Sequence, residues 1–448
     1  MSKDKLTDYD SAASGNLDVG GISVAEGMLP SGVNNAIREQ MSHLKDFASG
    51  TTGIDVLSLA DDDASHAIKL QAPSAVTADT TFTLPDGDGT ADQVLKTDGS
   101  GQLGWADRHA NPSLITNGGM TVAQRGTSGT STADIYTVDR FAIGHGAPVN
   151  AMTFEQSTDA PNNFKNSIKI TAGTGASAST TGYAILRQAI EGQNISHLGF
   201  GTSAAKAIIL SFYVKSSLTG TFGVSIRNQA GTRGYGGTYI INSANTWEYV
   251  TIAIPADTGG TWPTDNGIGL NIMWDLGAGS NYDIASGSWT DGTNIIGVES
   301  TVKLTETTGA TWQMTGVKLE VGSTTTDFQH RSYGDELARC QRYFYQHVNG
   351  TNQSIMVASA IVTNYIQGTI FFPVPMRTAP TFTSADGSNY FQIYSGTAGA
   401  ASFNSYGSQQ GHVNGMTLLK NGTTITSGES AICYTNNANA FLRFDAEL

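Results

Sequence analysis

The stretch that decides the fold runs from Thr311 to Tyr345 and reads TWQMTGVKLEVGSTTTDFQHRSYGDELARCQRYFY. Apolar and polar residues alternate from Trp312 to Val321, which predicts a half-buried strand. Gly322 and the Ser/Thr run after it end that strand. A short helical segment is predicted to open at Asp335–Glu336, because apolar residues then recur at helical spacing as far as Phe344.

The sequence on both sides of this stretch is rich in Gly, Ser and Thr and alternates in the same way. We therefore interpret the stretch as a joint, in which the closing strand of one β-domain runs into the first element of another. The alternative is a strand and a helix inside one large sandwich.

Composition sets the class of protein. A chain of 448 residues has room for two or three domains. Its 53 glycines and 14% charged residues favour many short strands joined by tight turns, so the predicted class is mainly β. The net charge of −14 argues against nucleic-acid binding, which needs a basic face, and against docking on anionic lipid.

Several other features are predicted to be missing. No run approaches the ~20 apolar residues of a membrane span, so no membrane insertion is expected. The N-terminus MSKDKLTDYD has no apolar core, so no signal peptide is expected. Cys340 and Cys433 are far apart in sequence, which predicts neither a cysteine metal site nor a disulfide framework. No cofactor is expected.

Residues 1–50 contain the only convincing helix, predicted over 33–48 between Pro30 and Gly50. Its apolar side chains form a single narrow stripe, and a stripe that no second helix covers needs a partner. Packing on its own domain is one possibility; self-association or docking on another protein is the other. The stripe consists of Val33, Ile37, Met41, Leu44 and Phe47.

Residues 51–110 contain short strands. Asp98-Gly99 and Ser100-Gly101 are typical of a hairpin turn between Val94-Leu95 and Leu103–Trp105. A lone hairpin is marginal in water, so these strands are expected to complete a core with other copies of the chain. The loop acids do not have EF-hand spacing, and no metal site is predicted at Asp61, Asp62, Asp63, Asp86 or Asp88.

Residues 111–331 alternate in segments separated by Gly/Asn/Thr turns, which predicts a two-sheet antiparallel sandwich. Strands are predicted at 167–170, 184–189, 207–215, 221–227, 247–254, 268–274 and 313–321. A second β-domain is predicted over 332–448. Its predicted strands are 354–363, 367–374, 390–394, 416–419, 430–434 and 440–446.

The motif G-V-K-L-E-V-G…T-D-F-x-H-R-S-Y-x-x-E-L-x-x-C-Q-R-Y-F-Y, from Gly316 to Tyr345, resembles a segment of tailed-phage tail fibre and receptor-binding proteins. In that family it closes a carbohydrate-binding-like jelly roll and starts a C-terminal domain. The run S-V-A-E-G-M-L-P-S-G-V-N-N-A-I-R-E-Q-M resembles the family's N-terminal anchoring segment. The run Q-V-L-K-T-D-G-S-G-Q-L-G-W is similar to its shaft module.

This resemblance implies an elongated homotrimer with four parts. Residues 1–50 attach to a virion tail or adaptor protein through the helical stripe, and residues 51–110 form a thin shaft. Residues 111–331 form the jelly roll, and residues 332–448 form the tip. The protein is then a component of the virion tail, made in the host cytoplasm, that adheres to host-surface polysaccharide.

Sugar-binding sandwiches stack pyranose rings on exposed aromatic side chains beside amides and hydroxyls. The loops between Asp257 and Thr293 contain the candidates, although the same rings could plug the core or cover a loop. The candidates are Trp262, Trp274, Tyr282 and Trp289.

No hydrolase, metalloprotease or nucleotide-binding motif is present, so no enzyme activity is predicted. Asp275 and Asp283 could form a glycosidase pair if their carboxyl groups lay ~5–9 Å apart. Two alternatives to an adhesive tail fibre remain. One is a capsid or tail decoration fibre without receptor contact, and the other is a polysaccharide-depolymerising spike.

Overall fold

The computed structural model describes residues 8–10, 12–49, 56–60, 67–71, 81–89, 93–107, 112–146, 149–176, 179–396 and 399–448. The chain forms two compact units, residues 1–108 and 109–448, which we describe separately. The mainly β class is confirmed. None of the helices in these ranges is both long and apolar enough to cross a membrane.

The first unit contains the predicted helix, α1, at Pro30–Ser49. The helix starts at Pro30, as expected of a residue that needs no amide partner in the first turn. Asp61, Asp62 and Asp63 lie outside the described residues. The strands of this unit are β1 (Asp18–Val19), β2 (Ile22–Ser23), β3 (Val56–Ala60), β4 (Ala67–Gln71), β5 (Gln93–Thr97) and β6 (Leu103–Asp107).

The predicted hairpin is formed by β5 and β6. The Asp98 carboxylate accepts hydrogen bonds from the amides of Ser100 and Gln102 at 2.7 and 3.2 Å, which closes the turn. The indole of Trp105 donates to the carbonyl of Gly87 at 2.8 Å. These local bonds fix the turn, while the side chains of Val94 and Leu95 remain exposed.

The second unit begins with an antiparallel sandwich of two sheets. Its strands are β7 (Ser128–Ser131), β8 (Ile135–Tyr136), β9 (Ala142–Gly146), β10 (Met152–Ser157), β11 (Ser167–Ala172), β12 (Tyr183–Glu191), β13 (Ile208–Ser216), β14 (Gly220–Arg227), β15 (Arg233–Ile241), β16 (Glu248–Ile254), β17 (Ile268–Asp275), β18 (Asp283–Ile284), β19 (Trp289–Asp291), β20 (Gly297–Val298) and β21 (Thr311–Val321). Short helical turns lie at Gly192–Ile195 (α2), Ser196–Leu198 and Leu304–Glu306. One sheet has the strand order β16-β13-β21-β11-β10-β7 and the other β19-β15-β14-β17-β12-β9-β8.

The strand predicted at the start of the joint is β21, which lies between β11 and β13. It sends Trp312 and Met314 into the core between the sheets. Gly316 has φ +64°, and the register with β13 shifts here, so the strand contains a bulge. The bulge preserves the inward direction of Val317 and Leu319.

The chain then forms a second, smaller sandwich with its own core. Helix α3 (Tyr333–Gln341) precedes it. The strands are β22 (Phe344–Asn349), β23 (Ser354–Val362), β24 (Tyr365–Phe371), β25 (Thr381–Ser384), β26 (Phe391–Ser395), β27 (Gly399–Phe403), β28 (Gly407–His412), β29 (Gly415–Asn421), β30 (Ser430–Thr435) and β31 (Phe441–Asp445). A three-stranded sheet, β22-β31-β25, packs on a seven-stranded sheet, β27-β26-β30-β23-β24-β29-β28.

Two details of the predicted elements were wrong, one at the joint and one in the second sandwich. The helix ends at Gln341, and Phe344 opens strand β22 instead of closing the helix. Strand β24 ends at Phe371, before the predicted end at residue 374, because Pro373 has no amide hydrogen for the ladder.

A buried carboxylate links the two sandwiches of the second unit. Glu191, at the end of β12, is 1% exposed. It accepts hydrogen bonds from Nε and Nη2 of Arg342 at 3.0 and 2.6 Å, and from the hydroxyl of Tyr343 at 2.9 Å. A charge is tolerated inside a protein when it is paired and hydrogen-bonded in this way.

A second ionic contact lies beside the first. Arg125 and Arg140 of the first sandwich both pair with Glu447 of the second. The Arg140 guanidinium also lies 3.6 Å from the centre of the Tyr343 ring. The Arg125 guanidinium lies 3.4 Å from the centre of the Phe344 ring. The joint is therefore built from stacked and paired arginines, which combine planar charge with ring contact.

Helix α3 is fixed in the same joint by its first turn. The Ser332 hydroxyl caps it by accepting a hydrogen bond from the Asp335 amide at 3.1 Å. The Glu336 carboxylate accepts from the backbone amide of Asn117 and from Arg331. The motif R-S-Y-G-D-E thus has a structural role, since it caps the helix and ties it to the first sandwich.

Candidate functional site

The predicted attachment stripe lies on α1 with its side chains exposed. The side of the helix next to the stripe is covered, since Ala36 and His43 are buried and His43 is hydrogen-bonded to the hydroxyl of Tyr9 at 3.0 Å. The helix thus packs along one edge of the stripe and leaves the large apolar side chains exposed. The exposed fractions are 42% for Val33, 50% for Ile37, 63% for Met41, 54% for Leu44 and 45% for Phe47.

One of the four predicted sugar-stacking residues is placed where it cannot act. Trp274 is 0% exposed and packs in the core between the two sheets, 6.2 Å from the Phe141 ring and 5.8 Å from the Phe212 ring. Its indole has no free face for a ligand. The prediction for Trp274 is wrong because its strand places it inward together with Leu270 and Ile272.

Trp262 and Trp289 come together, with ring centres 5.6 Å apart, in a cluster with Phe200. Both indole N–H groups are used inside the protein. Trp262 donates to the Asp257 carboxylate at 3.0 Å, and Trp289 donates to the Pro255 carbonyl at 2.8 Å. Trp262 is only 7% exposed. This cluster fastens the loops over the end of the sandwich.

Tyr282 lies apart from those tryptophans. Its ring packs edge-on against Tyr183 at 5.5 Å, beside a small apolar cluster that includes Met273 and Ile296. Burial raises the pKa of Tyr183. Tyr183 and Tyr282 are both half-buried.

The two carboxylates considered as a hydrolytic pair are joined by Lys303, which bridges Asp275 and Asp283. Asp275 is buried and also accepts from the amides of Gly277, Ala278 and Val298. Burial raises the pKa of Asp283 to about 6, against the opposing effect of Lys303. Asp275 therefore anchors the loop that follows β17. Among the described residues, no group of three His, Cys, Asp or Glu side chains could hold a metal ion.

The structure instead shows a groove of about 710 Å³ on the outer face of the six-stranded sheet. Its floor is formed by Tyr213 on β13 and Tyr249 on β16, whose ring centres are 4.9 Å apart. Tyr249 is 48% exposed. Phe164, from the loop between β10 and β11, extends this floor at 5.6 Å from Tyr213.

One wall of the groove comes from the segment that follows β21. Phe328 and His330 each lie 5.0 Å from the Phe164 ring. The bulge at Gly316 makes room for this arrangement, because a Cβ atom there would lie 2.7 Å from the Phe164 ring. The same stretch that joins the sandwiches therefore also forms part of the groove.

A buried ion pair fixes this wall. Lys318 and Glu320 project from β21 away from the core, yet each is only 1% exposed because the following segment covers them. The Lys318 ammonium donates to the carbonyls of Thr326 and Asp327 at 3.2 and 3.1 Å. The Glu320 carboxylate accepts from the amide and hydroxyl of Thr326 at 2.8 and 2.7 Å. The wall is thus positioned by charge-assisted hydrogen bonds and is set before any ligand arrives.

Polar groups line the groove between the aromatic rings. They belong to Asn162, Asn163, Ser211, Thr325, Thr326 and Asp327. Amide, hydroxyl and carboxylate groups together offer both donors and acceptors to a ligand. A concave site with aromatic walls and a few polar groups is the common form of a small-molecule pocket.

Farther along the same two strands, the indole of Trp247 donates to Asp159 at 3.2 Å. Lys215 donates to the same carboxylate at 2.6 Å, and this hydrogen bond lowers the pKa of Asp159. Trp247 directly precedes β16, and its ring centre lies 5.8 Å from Nζ of Lys215, which shares the outward face of β13 with Tyr213. The aromatic surface therefore continues beyond the groove.

The groove was not predicted from the sequence, although part of its signal is present there. In the strand predicted at 207–215, Phe212 and Val214 alternate with Tyr213, which must then point outward. Tyr249 alternates with Val250 in the same way and must also point outward. An aromatic residue at an outward position of a strand is therefore the sequence feature that indicates an aromatic surface on the sheet. The contribution of Phe164 and Phe328 depends on strand order, which the sequence does not reveal.

No protein-family model matches the chain, and no curated protein matches it. Solved structures match parts of it. The enzymatically active domain of bacteriophage CBA120 tailspike protein 4 is 15% identical with a TM-score of 0.25, covering 47% of this chain and 21% of that one. A CBM4 structure is 12% identical with a TM-score of 0.26, covering 46% and 99%. The CBM22-1 xylan-binding domain from Paenibacillus barcinonensis Xyn10C is 8% identical with a TM-score of 0.23, covering 48% and 98%.

The chain thus spans about a fifth of the tailspike domain that it matches, and nearly the whole of the two smaller modules. TM-scores of this size do not support a conclusion about function. The functional proposal rests on the residues of the groove and of the helix stripe.

Proposed function

We propose that the chain is a tail fibre structural protein of a tailed phage. In this proposal it is a homotrimer that attaches to a virion tail or adaptor protein through its N-terminus. Its β-domains adhere to polysaccharide on the host surface. The protein needs no cofactor and is located in the virion tail after synthesis in the host cytoplasm.

The groove on the six-stranded sheet is the observation that carries this proposal. A pyranose ring has an apolar face of C–H groups and a rim of hydroxyls. Tyr213 and Tyr249 supply aromatic surface for the apolar face, and Phe164 extends it. Asn162 and Asn163 line the same groove, and asparagine amides suit the hydroxyls.

The contacts made by Asp275, one of the two carboxylates of the possible glycosidase pair, favour adhesion without cleavage. Glycoside hydrolysis needs one carboxyl group to donate a proton and a second carboxylate to attack or to activate water. Both oxygens of Asp275 are already engaged by backbone amides and Lys303. A carboxylate that is held in this way has no free lone pair directed at a substrate.

The helix stripe supports attachment or self-association. Five large apolar side chains on one helix face are each at least 42% exposed. Exposed apolar surface of this kind is stabilised when a partner covers it. Val33, Ile37 and Leu44 also line an apolar groove along the helix, together with Val19 and Val24. A partner helix fits such a groove by the spacing of its own apolar residues.

The groove is tested by Tyr249→Ala in the full-length protein, with Tyr333→Ala as the matched control. Tyr333 is 60% exposed on α3 and does not line the groove. Loss of one stacking ring worth ~0.5–1.5 kcal/mol should weaken binding to purified host-envelope polysaccharide about 2- to 10-fold. The control should bind like the wild type.

The same preparation separates the alternatives. Equal polysaccharide binding by wild type and Tyr249→Ala would show that the groove does not bind the polysaccharide. No binding by folded wild-type protein would favour a decoration fibre without receptor contact. A decrease in the chain length of the polysaccharide during incubation would favour a depolymerising spike.

A further inference from the structure

The seven-stranded sheet of the second sandwich has one face covered and one face open. Its inner face packs against the three-stranded sheet through side chains such as Ala358, Ile393 and Cys433. Side chains alternate along each strand, so their neighbours in sequence point outward. Val357, Tyr394 and Ile432 are accordingly 69%, 57% and 55% exposed.

These outward side chains stand in register across neighbouring strands. Val357 on β23 pairs with Ile432 on β30, and Ile432 lies opposite Tyr394 on β26. Tyr394 in turn pairs with Ala400 on β27. Four adjacent strands therefore present one continuous apolar row. We call the outer surface of this sheet the tip face. Phe371, at the end of β24 in the same sheet, is 75% exposed.

The tip face carries no charge on its described outward side chains. Beyond the apolar row, β24 and β29 place Thr369 opposite Thr417, with their hydroxyls 3.2 Å apart. Gln409 on β28 follows Thr417. The other outward positions are hydroxyl, amide, tyrosine or aliphatic residues and the imidazole of His412, at the outer end of β28. An open sheet face is ordinarily polar and often charged, so an uncharged face with large apolar residues is unusual.

The size of the tip face fits a specific contact. Seven strands ~4.8 Å apart and about five residues long cover roughly 30 by 17 Å, or ~500 Å². Two such faces in contact would bury ~1,000 Å² in total, which is the level expected of a specific protein interface.

The choice of occupant follows from charge. The chain carries a net charge of −14, so two copies repel each other wherever acidic surface meets acidic surface. A surface that meets its own copy must avoid like charges, and the tip face contains none on its described outward side chains. A basic partner would select acidic side chains here, and these are missing from the described part of the face.

We propose that the tip face is a contact between copies of this chain. The contact is separate from the helix stripe and brings the second sandwiches of different copies together. Because the same face meets itself, the contact is two-fold and joins copies in pairs, apart from the contacts that form the homotrimer of the proposed function. It does not require that the groove bind a glycan.

The test uses the thiol reactivity of the full-length protein. Both native cysteines, Cys340 and Cys433, are fully buried. Val357→Cys places a thiol on the tip face, and Ser388→Cys places one in an exposed loop of the same sandwich. At micromolar protein concentration, we expect the thiol at position 357 to react with maleimide at least ~10-fold more slowly than the thiol at 388.

A third variant shows that a second copy causes the protection. Adding Ile432→Asp to Val357→Cys places a carboxylate in the apolar row, where association would bury it unpaired. The rate should then rise to that of Ser388→Cys, and sedimentation velocity should show weaker association. Because the purified sample contains only this chain, protection lost in this way identifies another copy as the occupant.

Two outcomes overturn the proposal. In one, the thiol at 357 reacts as fast as the thiol at 388 in the purified protein. In the other, its protection persists unchanged with Ile432→Asp in a protein whose buried Cys433 stays unmodified by mass spectrometry, which shows that the second sandwich is folded. Polysaccharide binding by Val357→Cys, measured in parallel, separates failure of the adhesion proposal from failure of this one.

Discussion

Glu191→Gln should weaken the link between the two sandwiches of the second unit. The substitution keeps the shape of the side chain and removes its charge. The Arg342 guanidinium and the Tyr343 hydroxyl then lose a carboxylate that now accepts three hydrogen bonds from them. An amide can accept only through one oxygen, and its NH₂ group would face the arginine.

The size of the effect follows from burial. Removing one partner of a fully buried ion pair costs about 3–5 kcal/mol, because it strands the other charge. Arg342 is 35% exposed, so water solvates part of the stranded guanidinium. We therefore expect the free energy that couples the sandwiches to fall by about 2–3 kcal/mol.

Two probes report the two sandwiches separately during urea unfolding. Cys433 is fully buried in the second sandwich, so its reaction with a thiol reagent, read by mass spectrometry, follows that core. Tryptophan emission follows the first sandwich and Trp105, since the second sandwich has none. The tryptophans of the first sandwich are Trp247, Trp262, Trp274, Trp289 and Trp312.

In the wild type, the tryptophan and thiol transitions should coincide because the joint couples the two cores. In Glu191→Gln they should separate, with the weaker core unfolding at lower urea. The control is Glu155→Gln, which breaks an exposed pair with Lys169 and should change stability by less than ~1 kcal/mol. If Glu191→Gln behaves like Glu155→Gln, the ion pair does not hold the joint and the reasoning is refuted.

Three further substitutions test other parts of the chain. Ile37→Asp should abolish incorporation into virions without shifting the thermal transition of the second unit, and normal copy number in purified particles would contradict the role of the stripe. Asp283→Asn should raise the melting temperature at pH 7 but not at pH 4, because burial raises the folded pKa to about 6 and the wild type regains stability as the pH falls through that value. An equal difference at both pH values would refute this. Gly316→Ala should lower the free energy of unfolding by roughly 1–3 kcal/mol, since φ is +64° and the new Cβ meets Phe164; urea unfolding with wild-type stability would show that the bulge tolerates a side chain.

Much of the strand pattern could be predicted because alternation directly reflects burial. Segments such as 207–215 and 268–274 coincide with β13 and β17 to within one residue at each end. The same alternation placed Trp274 in line with Leu270 and Ile272, so its burial was already implied. The prediction that Trp274 binds sugar relied on its residue type and did not take its position in the strand into account.

Other elements could not be predicted from local pattern. Strand β15 reads RGYGGTYII, and its glycines suggest a turn, yet they fit there because neighbouring chains approach closely. A Cβ at Gly236 would lie 2.8 Å from the carbonyl of Ala285. The groove combines residues from β13, β16 and two distant loops. Its formation depends on the order of strands in the sheet, which is a property of the whole fold.

The position of β21 has a mechanical consequence if the proposed fibre is pulled. The strand has eleven residues, lies between β11 and β13, and leads directly into the segment that carries the second sandwich. Tension on that sandwich along the strand would load both hydrogen-bonded ladders at once, in shear. Shear requires many hydrogen bonds to fail together, whereas peeling an edge strand breaks them one at a time. The pairs of Glu191 with Arg342 and Glu447 with Arg125 share this load while they hold. The joint therefore has the form expected of an element that transmits pulling force without unfolding.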